Sequence, residues 1–413
     1  MALAVPLAAQ HDMSNMPGMQ HDMSHMAGTH HDESSAPAGP MESSGIAVNP
    51  ASSPMNMAGF AAGRWHLVFH GVAFVGGIQQ TGPRGADKFL STSWFMANAE
   101  HPLAGGTFSI RAMFSLEPAT VTNRRYPELF QTGETAGGRP IVDGQHPHDF
   151  LMELALHYTH PLGAKSSWEL YAAPVGDPAL GPVAFPHRVS AEELPQATLG
   201  HHQQDSTHIS NEVVTAAVTR GIVRIEASGF HGGEPNENRW NIDHGAIDSY
   251  SARVTVSPGA NWTGQISAGR LAHPEQLEPG NQTRATASVT WNRPYTNGHW
   301  ASSLIWGRVH KTATGANLNS YGLESVAQFA RKNYVTGRIE LVDKDELLAS
   351  GQAFRVSAYT AGYTRDFYLF PRIATGLGAN FTSYAMPAAL HAYYGEHPVS
   401  VLFFIRFKLR DTA

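Results

Sequence analysis

The sequence predicts an all-β protein: a transmembrane antiparallel β-barrel of about 16 strands preceded by a disordered N-terminal tail. Three observations carry this. From Arg64 onward, strand-length stretches of period-two alternation recur roughly every 22 residues. The connections between them alternate strictly between short and long. Aromatic residues gather near the ends of the stretches.

Alternation is clearest near the C-terminus. Val399, Val401, Phe403, Ile405, Phe407 and Leu409 share one face; Ser400, Leu402, Phe404, Arg406 and Lys408 share the other. Phe108, Ile110, Ala112, Phe114 and Leu116 oppose Ser109, Arg111, Met113 and Ser115 in the same way. Ala285, Ala287, Val289 and Trp291 oppose Arg284, Thr286, Ser288 and Thr290. Strands are expected to begin near residues 65, 88, 107, 149, 166, 208, 222, 248, 261, 283, 299, 319, 333, 354, 372 and 398.

Short connections include Thr219-Arg220-Gly221, Ser257-Pro258-Gly259-Ala260 and Arg331-Lys332-Asn333. Two of the long ones stand out, at roughly 119–148 and 174–207. Turns at one end and long loops at the other mark an outer-membrane barrel, and an even strand count puts both termini in the periplasm. Trp65, Trp168, Trp262, Trp300, Tyr334, Phe367 and Tyr368 are placed to form an interfacial girdle. A propeller would repeat a blade signature, which is absent here, and a soluble sandwich gives no reason for the alternating loop lengths.

Composition agrees. There are 40 Gly, 26 Pro, 10% aromatics and only 15% charged residues, which suits many strands joined by turns. No run of about 18 apolar residues occurs, so a spanning helix is excluded, whereas barrel strands escape that test. Without any Cys there is neither a disulfide framework nor a thiolate metal site. A net charge of −6 and the lack of a basic stripe argue against nucleic acid as a partner.

Three segments are expected: a signal-peptide remnant at 1–9, ending in small residues with a cut after Ala9; a disordered tail at 10–62; and the barrel at 63–413. The tail is rich in Met, His, Ser, Pro, Ala and Gly. Met13, Met16, Met19, Met23 and Met26 recur at spacings of three or four, interleaved with His11, His21, His25, His30 and His31. Beyond residue 57 the only Met are Met96, Met113, Met152 and Met386. Thioether sulfur is a soft ligand, so a chain of this kind suits Cu(I) first and Ag(I) next; His with Asp12, Asp22 and Asp32 would take Cu(II) or Zn(II).

The runs His11-Asp12-Met13-Ser14-Asn15-Met16 and His21-Asp22-Met23-Ser24-His25-Met26, ahead of a barrel, resemble the copper-resistance protein B family. The resemblance covers the tail and the general architecture. It implies copper tolerance by sequestration or export across the outer membrane, with periplasmic metal-handling proteins as partners. The other reading is a general porin or structural barrel whose tail is incidental.

A second His group falls on the long-loop side. His146-Pro147-His148-Asp149, His187, the pair His201-His202, Asp205 and His208 all approach one mouth, with Glu153 and His157 continuing down the wall. His146, His148, His201, His202 and His208 are the candidate ligands of a divalent cation there; hydrogen-bonded loop residues in a constriction are the alternative. His231, His244, His273 and His310 mark the outer ends of later strands, and His66 and His70 face inward on the first. Arg111, Glu153, Glu169, Arg224, Glu226, Arg253, Arg284, Glu324, Arg338, Glu340 and Arg406 lie on the polar face in both signs, which predicts a wall laced by ion pairs and a narrow or plugged lumen. Ser206 and Asp205 sit beside His208, but no Gly-x-Ser-x-Gly elbow occurs, so an enzyme is not expected.

Overall fold

The computed structural model describes residues 41–410 apart from Met55. The tail residues from His11 to His31 and the stretch 1–9 lie outside the described residues.

The first elements are small. β1 (Met41–Glu42) and β2 (Val48–Asn49) pair as a hairpin, and β3 (Met57–Ala62) follows. Then come β4 (Trp65–Gln80), β5 (Lys88–Leu103) and β6 (Gly106–Phe114). β7 (Tyr126–Ala136) and β8 (Arg139–Gln145) form a separate two-stranded sheet. The chain continues through β9 (Leu151–Gly163), β10 (Ser166–Gly176), β11 (Ser210–Arg220), β12 (Val223–His231) and β13 (Ser249–Gly259). Next are β14 (Trp262–Leu271), β15 (Gln282–Tyr295), β16 (Gly298–Lys311) and β17 (Asn317–Phe329). Last come β18 (Asn333–Lys344), β19 (Phe354–Phe370), β20 (Ile373–Ala385) and β21 (Val399–Leu409).

β4 to β6 and β9 to β21 pair antiparallel with their neighbours and close into a barrel of 16 strand positions. Closure is made by β21 against the upper part of β4, from Ser400 opposite Gln80 to Lys408 opposite Val72. Below that, β3 takes over the same position, from Met57 opposite His70 to Ala62 opposite Trp65. Each of β4 to β6 and β9 to β21 begins within two residues of the expected position, whereas β3 lies in the stretch expected to be tail. Turns alternate with longer connections, of which 115–150 and 177–209 are the longest. Among the described residues no helix is long and apolar enough to cross a membrane, so any crossing falls to the strands.

The period-two pattern has the physical meaning it promised. Phe403 and Ile405 point outward and are exposed, while Leu402, Phe404 and Arg406 are buried inside. Outward side chains such as Ile225, Ile266, Leu304 and Leu377 form an apolar surface of the kind lipid covers. Trp262, Trp300, Phe367 and Tyr368 are exposed at the short-turn end, as a girdle requires. Tyr334 is not part of it. Its ring is buried in the lumen, with Arg406 and Lys408 stacked over it at 5.0 and 4.9 Å, because the inward register of β18 places it there.

The lumen is filled. Residues 43–50, expected to belong to the tail, instead run buried across the interior. Arg111 donates to the carbonyls of Ser43 and Gly45 at 2.8 and 2.6 Å. The Gly45 N–H donates to Glu153 Oε1, and Ser44 Oγ donates to Asp177 Oδ2. Gly45 lies at φ +57, and a Cβ there would stand 2.4 Å from the Asp177 carbonyl oxygen, so only glycine fits the crossing. Composition suggested disorder, but wall charges supply partners for this strap's backbone, a gain that composition does not register.

The two longest loops also fold inward, and ion pairs tie them to the wall. Arg188, fully buried, donates to Glu324 of β17 at 2.6 and 3.1 Å and to Asp205 at 3.0 Å. Arg406 of β21 pairs with Glu193 and Asp366, and Lys408 reaches Glu193 at 3.0 Å. The wall pairs expected from the sequence form as well: Arg111 with Glu153, Arg224 with Glu169, Arg253 with Glu226 and Arg338 with Glu324. Replacing Arg188 by Met removes the charge that compensates two buried carboxylates. The expected loss is about 3–5 kcal/mol, read from urea unfolding in detergent by tryptophan fluorescence. A loss under about 1 kcal/mol would show that this contact does not hold the loop.

Candidate functional site

The inward loops build the site. Loop 115–150 contributes the β7–β8 hairpin and then His146 and His148; loop 177–209 contributes His187, the single helical turn His201–Gln204, and His208. Both loops are long enough to reach the lumen and too polar to be left there unpaired.

All five expected mouth histidines meet. Ring centroids of His201 stand 5.3 Å from those of both His202 and His208, and His146 is 6.1 Å from His201 and 5.8 Å from His202. His148 lies 5.4 Å from His208, and Phe185 packs against His148, His201 and His208. The result is a buried run of imidazoles wedged on one phenyl ring.

Four of the five have a ring nitrogen already engaged. His201 Nδ1 is 2.7 Å from Asp205 Oδ1, and the His208 Nδ1–H donates to the Asp205 carbonyl at 2.8 Å. His148 Nδ1 is 3.0 Å from Glu117 Oε1, whose other oxygen accepts from the His148 backbone N–H. The His146 Nδ1–H donates to the Pro147 carbonyl, and its Nε2 lies 3.0 Å from Glu134 Oε1. Arg239, from the loop between β12 and β13, pairs with Glu134 and with Asp149. His146, His148, His201 and His208 are therefore arranged as hydrogen-bonded groups in a constriction. Among the described residues, His202 is the one histidine whose ring nitrogen converges with two carboxylates, those of Glu234 and Glu275.

The remaining histidines are scattered. His187 packs on Trp94 at 4.1 Å, and His70 packs on the other side of Trp94 at 4.7 Å. His157 is 3.2 Å from Glu169 on the wall. His66 is exposed, and His231, His244 and His310 bond locally to Ala246, Glu212 and Asn317 at the rim.

Burial sets the protonation of the cluster. It pushes His208 down to about 3, helped by neighbouring His201 and His148. Burial also drives His146 well below its ordinary value, with Arg239 adding to it, and lowers His201 against the pull of Asp205. Burial lowers His148 too, but the charge and hydrogen bond of Glu117, with the charge of Asp149, together outweigh it and leave the imidazole raised. Burial alone would raise Asp205; the hydrogen bond from His201 and the charge of Arg188 leave it below the usual carboxylate range. Glu134 is raised by burial to about 8 despite Arg239.

What space remains is small. Cavities of about 30 Å³ lie beside His70, Trp94 and His187 and beside Glu117, His148 and Phe185, each with room for a water or two.

No protein-family model matches the chain, and no curated protein matches it. Solved structures do, at low identity. An anion-selective porin from Comamonas acidovorans matches with a TM-score of 0.51 and 13% identity, covering 83% of this chain and 99% of its own. OmpF of Salmonella typhi gives 0.52 and 9%, covering 85% and 100%. OprB of Pseudomonas putida gives 0.52 and 10%, covering 83% and 94%. These likenesses establish a porin-like fold. The resemblance to the copper-resistance protein B family stands on the tail's residues alone.

A neutral buried imidazole has a definite pH signature. The unfolded chain binds a proton at His208 below about 6.5, while the folded chain does so only near 3, so protons favour unfolding within that window. His208→Asn keeps an N–H donor and removes the titration. The stability of the natural chain relative to this variant should fall, as pH drops from about 6 to 4, by on the order of 1 kcal/mol per unit. A difference that stays flat across that range, in urea titrations at each pH, would contradict a His208 held neutral.

Proposed function

We propose that the chain is a porin-like channel of an outer membrane whose plug keeps conductance low. Supporting this is the contrast between a closed barrel of 16 strand positions and a lumen left with cavities of about 20–30 Å³. The short-turn end is periplasmic and the long loops face outward. Of the similar structures one is an anion-selective porin, but here wall cations and carboxylates are paired with each other and with the plug, so neither ion sign is favoured. Solutes that cross are small and polar, moving only when the inward loops shift.

Planar-bilayer recordings test this. The natural chain should give small, infrequent openings. Replacing residues 182–203 with a short Gly-Ser linker should raise conductance several-fold, in protein that keeps its heat-modifiable migration on gels. Equal conductance before and after excision sinks the plugged-channel reading.

The Met and His repeats favour a second reading, in which the tail collects Cu(I) in the periplasm beside the channel. A peptide of residues 10–32 should bind Cu(I) at least tenfold tighter than the same peptide with every Met changed to Leu, in a competition assay with a chromogenic chelator. Equal affinities would leave the tail without a role in copper.

A further inference from the structure

His202 is the odd member of the histidine cluster. Its ring is largely buried, yet neither nitrogen has a hydrogen-bond partner among the described residues. A buried imidazole normally satisfies both nitrogens or is kept for a ligand. Nδ1 stands 3.6 Å from Glu234 Oε1, too far for a hydrogen bond. That span is close to the ~3.4 Å separating two ligands of a tetrahedral zinc ion with bonds near 2.1 Å. Glu275 brings a carboxylate oxygen so that all three ligand atoms lie within 4.8 Å of one another.

The surroundings are those of a built site. Arg284 Nη2 and Ser206 Oγ both donate to Glu234 Oε1, at 3.1 and 3.3 Å, which fixes the carboxylate and leaves the buried Oε2 unpartnered. A cavity of about 20 Å³, enough for one water or ion, opens beside His202 and Glu275; Lys311 and Lys344 also line it, and Glu234 lies outside its lining. Gly133, at φ +119, lies under the ring: a Cβ there would stand 2.2 Å from His202 Nε2 and push the imidazole away. The neighbouring acid group of Glu278, Asp345 and Glu346 differs, because Lys311 already places its ammonium 2.8 Å from Glu278 and 2.9 Å from Asp345. That group already has a lysine across two of its carboxylates, whereas here Arg284 engages only Glu234 Oε1, at 3.1 Å, and leaves Glu234 Oε2 to an ion.

We propose that His202, Glu234 and Glu275 bind a divalent cation of the zinc class, with water completing the shell. The three ligands come from three connections: the inward loop 177–209, the loop 232–248 and the loop 272–281. A bound ion therefore clips the plug to the rim of the barrel. The site does not require that the barrel conduct.

The experiment uses the full chain in detergent and Co(II) as the probe, displaced by Zn(II). The natural chain should develop the intense visible bands of tetrahedral cobalt, lost on adding one equivalent of zinc. His202→Gln and Glu275→Gln should each abolish the bands and lower retained zinc by one ion per chain. Gly133→Ala should do the same without touching a ligand, and Glu278→Gln should change nothing. Heat-modifiable migration reports folding, and should His202→Gln misfold, Glu275→Gln on its outer loop decides. Bands that persist in the ligand variants belong to the tail and overturn the proposal, as does their absence from the natural chain.

Discussion

Arg188 is the group on which the interior depends, because a fully buried guanidinium has no water to fall back on. Its five donors demand acceptors in a fixed fork, and they find Glu324 on the wall and Asp205 and the Val183 carbonyl within the same inward loop. Inside the lumen these acceptors take the place of water. Asp205 in turn accepts from His201 and from the Phe185 N–H, so one guanidinium orders the histidine turn and the phenyl wedge together. Arg406 and Lys408 repeat the device on β21 with Glu193. The wall charges thus pair partly with each other and partly with the plug, and Glu324, Arg406 and Lys408 are those the inward loop completes.

The same reasoning explains the strap at residues 43–50. Arg111 and Glu153 are wall groups within 3.6 Å of each other, and each retains capacity beyond that pair. The strap's carbonyls and the Gly45 N–H use it. Closing the barrel makes polar surface that is dry, and any nearby chain with free backbone groups gains by lying against it.

That dependence sets the limit of what the sequence discloses. Strand starts are legible because the side-chain period and the loop lengths are local properties of the chain, and both survive folding unchanged. The five mouth histidines are legible as neighbours because strand count assigns them to one end. Their partners are not. Glu117 and Glu134, Glu234 and Arg239, and Glu275 come from three connections, and none of the carboxylates stands at a motif spacing from the histidine it meets. Tyr334 misleads for a different reason: an aromatic at a strand end fits a girdle, although its alternation with Arg338 and Glu340 already sets it on the inward face, where it meets Arg406 and Lys408. The strap is missed because Ser43-Ser44-Gly45 looks like more tail, although Ile46 and Val48 already bring the aliphatics that the Met-rich part lacks.

Ligand chemistry separates the two proposed metal sites. The tail offers thioethers and imidazoles, which hold Cu(I) without charge compensation. The rim site offers one imidazole and two carboxylates, a harder set that neutralises a divalent ion and discriminates against a monovalent soft one. Along the interior, Met113 and Met152 are packed among Val72, Phe74 and Trp94 as apolar filling. Among the described residues the interior therefore offers a soft ion no thioether series, only imidazoles, of which His146 and His208 are held neutral and hydrogen-bonded through Nδ1. The proposed copper capture and the proposed plug fastening are best understood as separate devices, because thioethers suit a soft monovalent ion and carboxylates a divalent one.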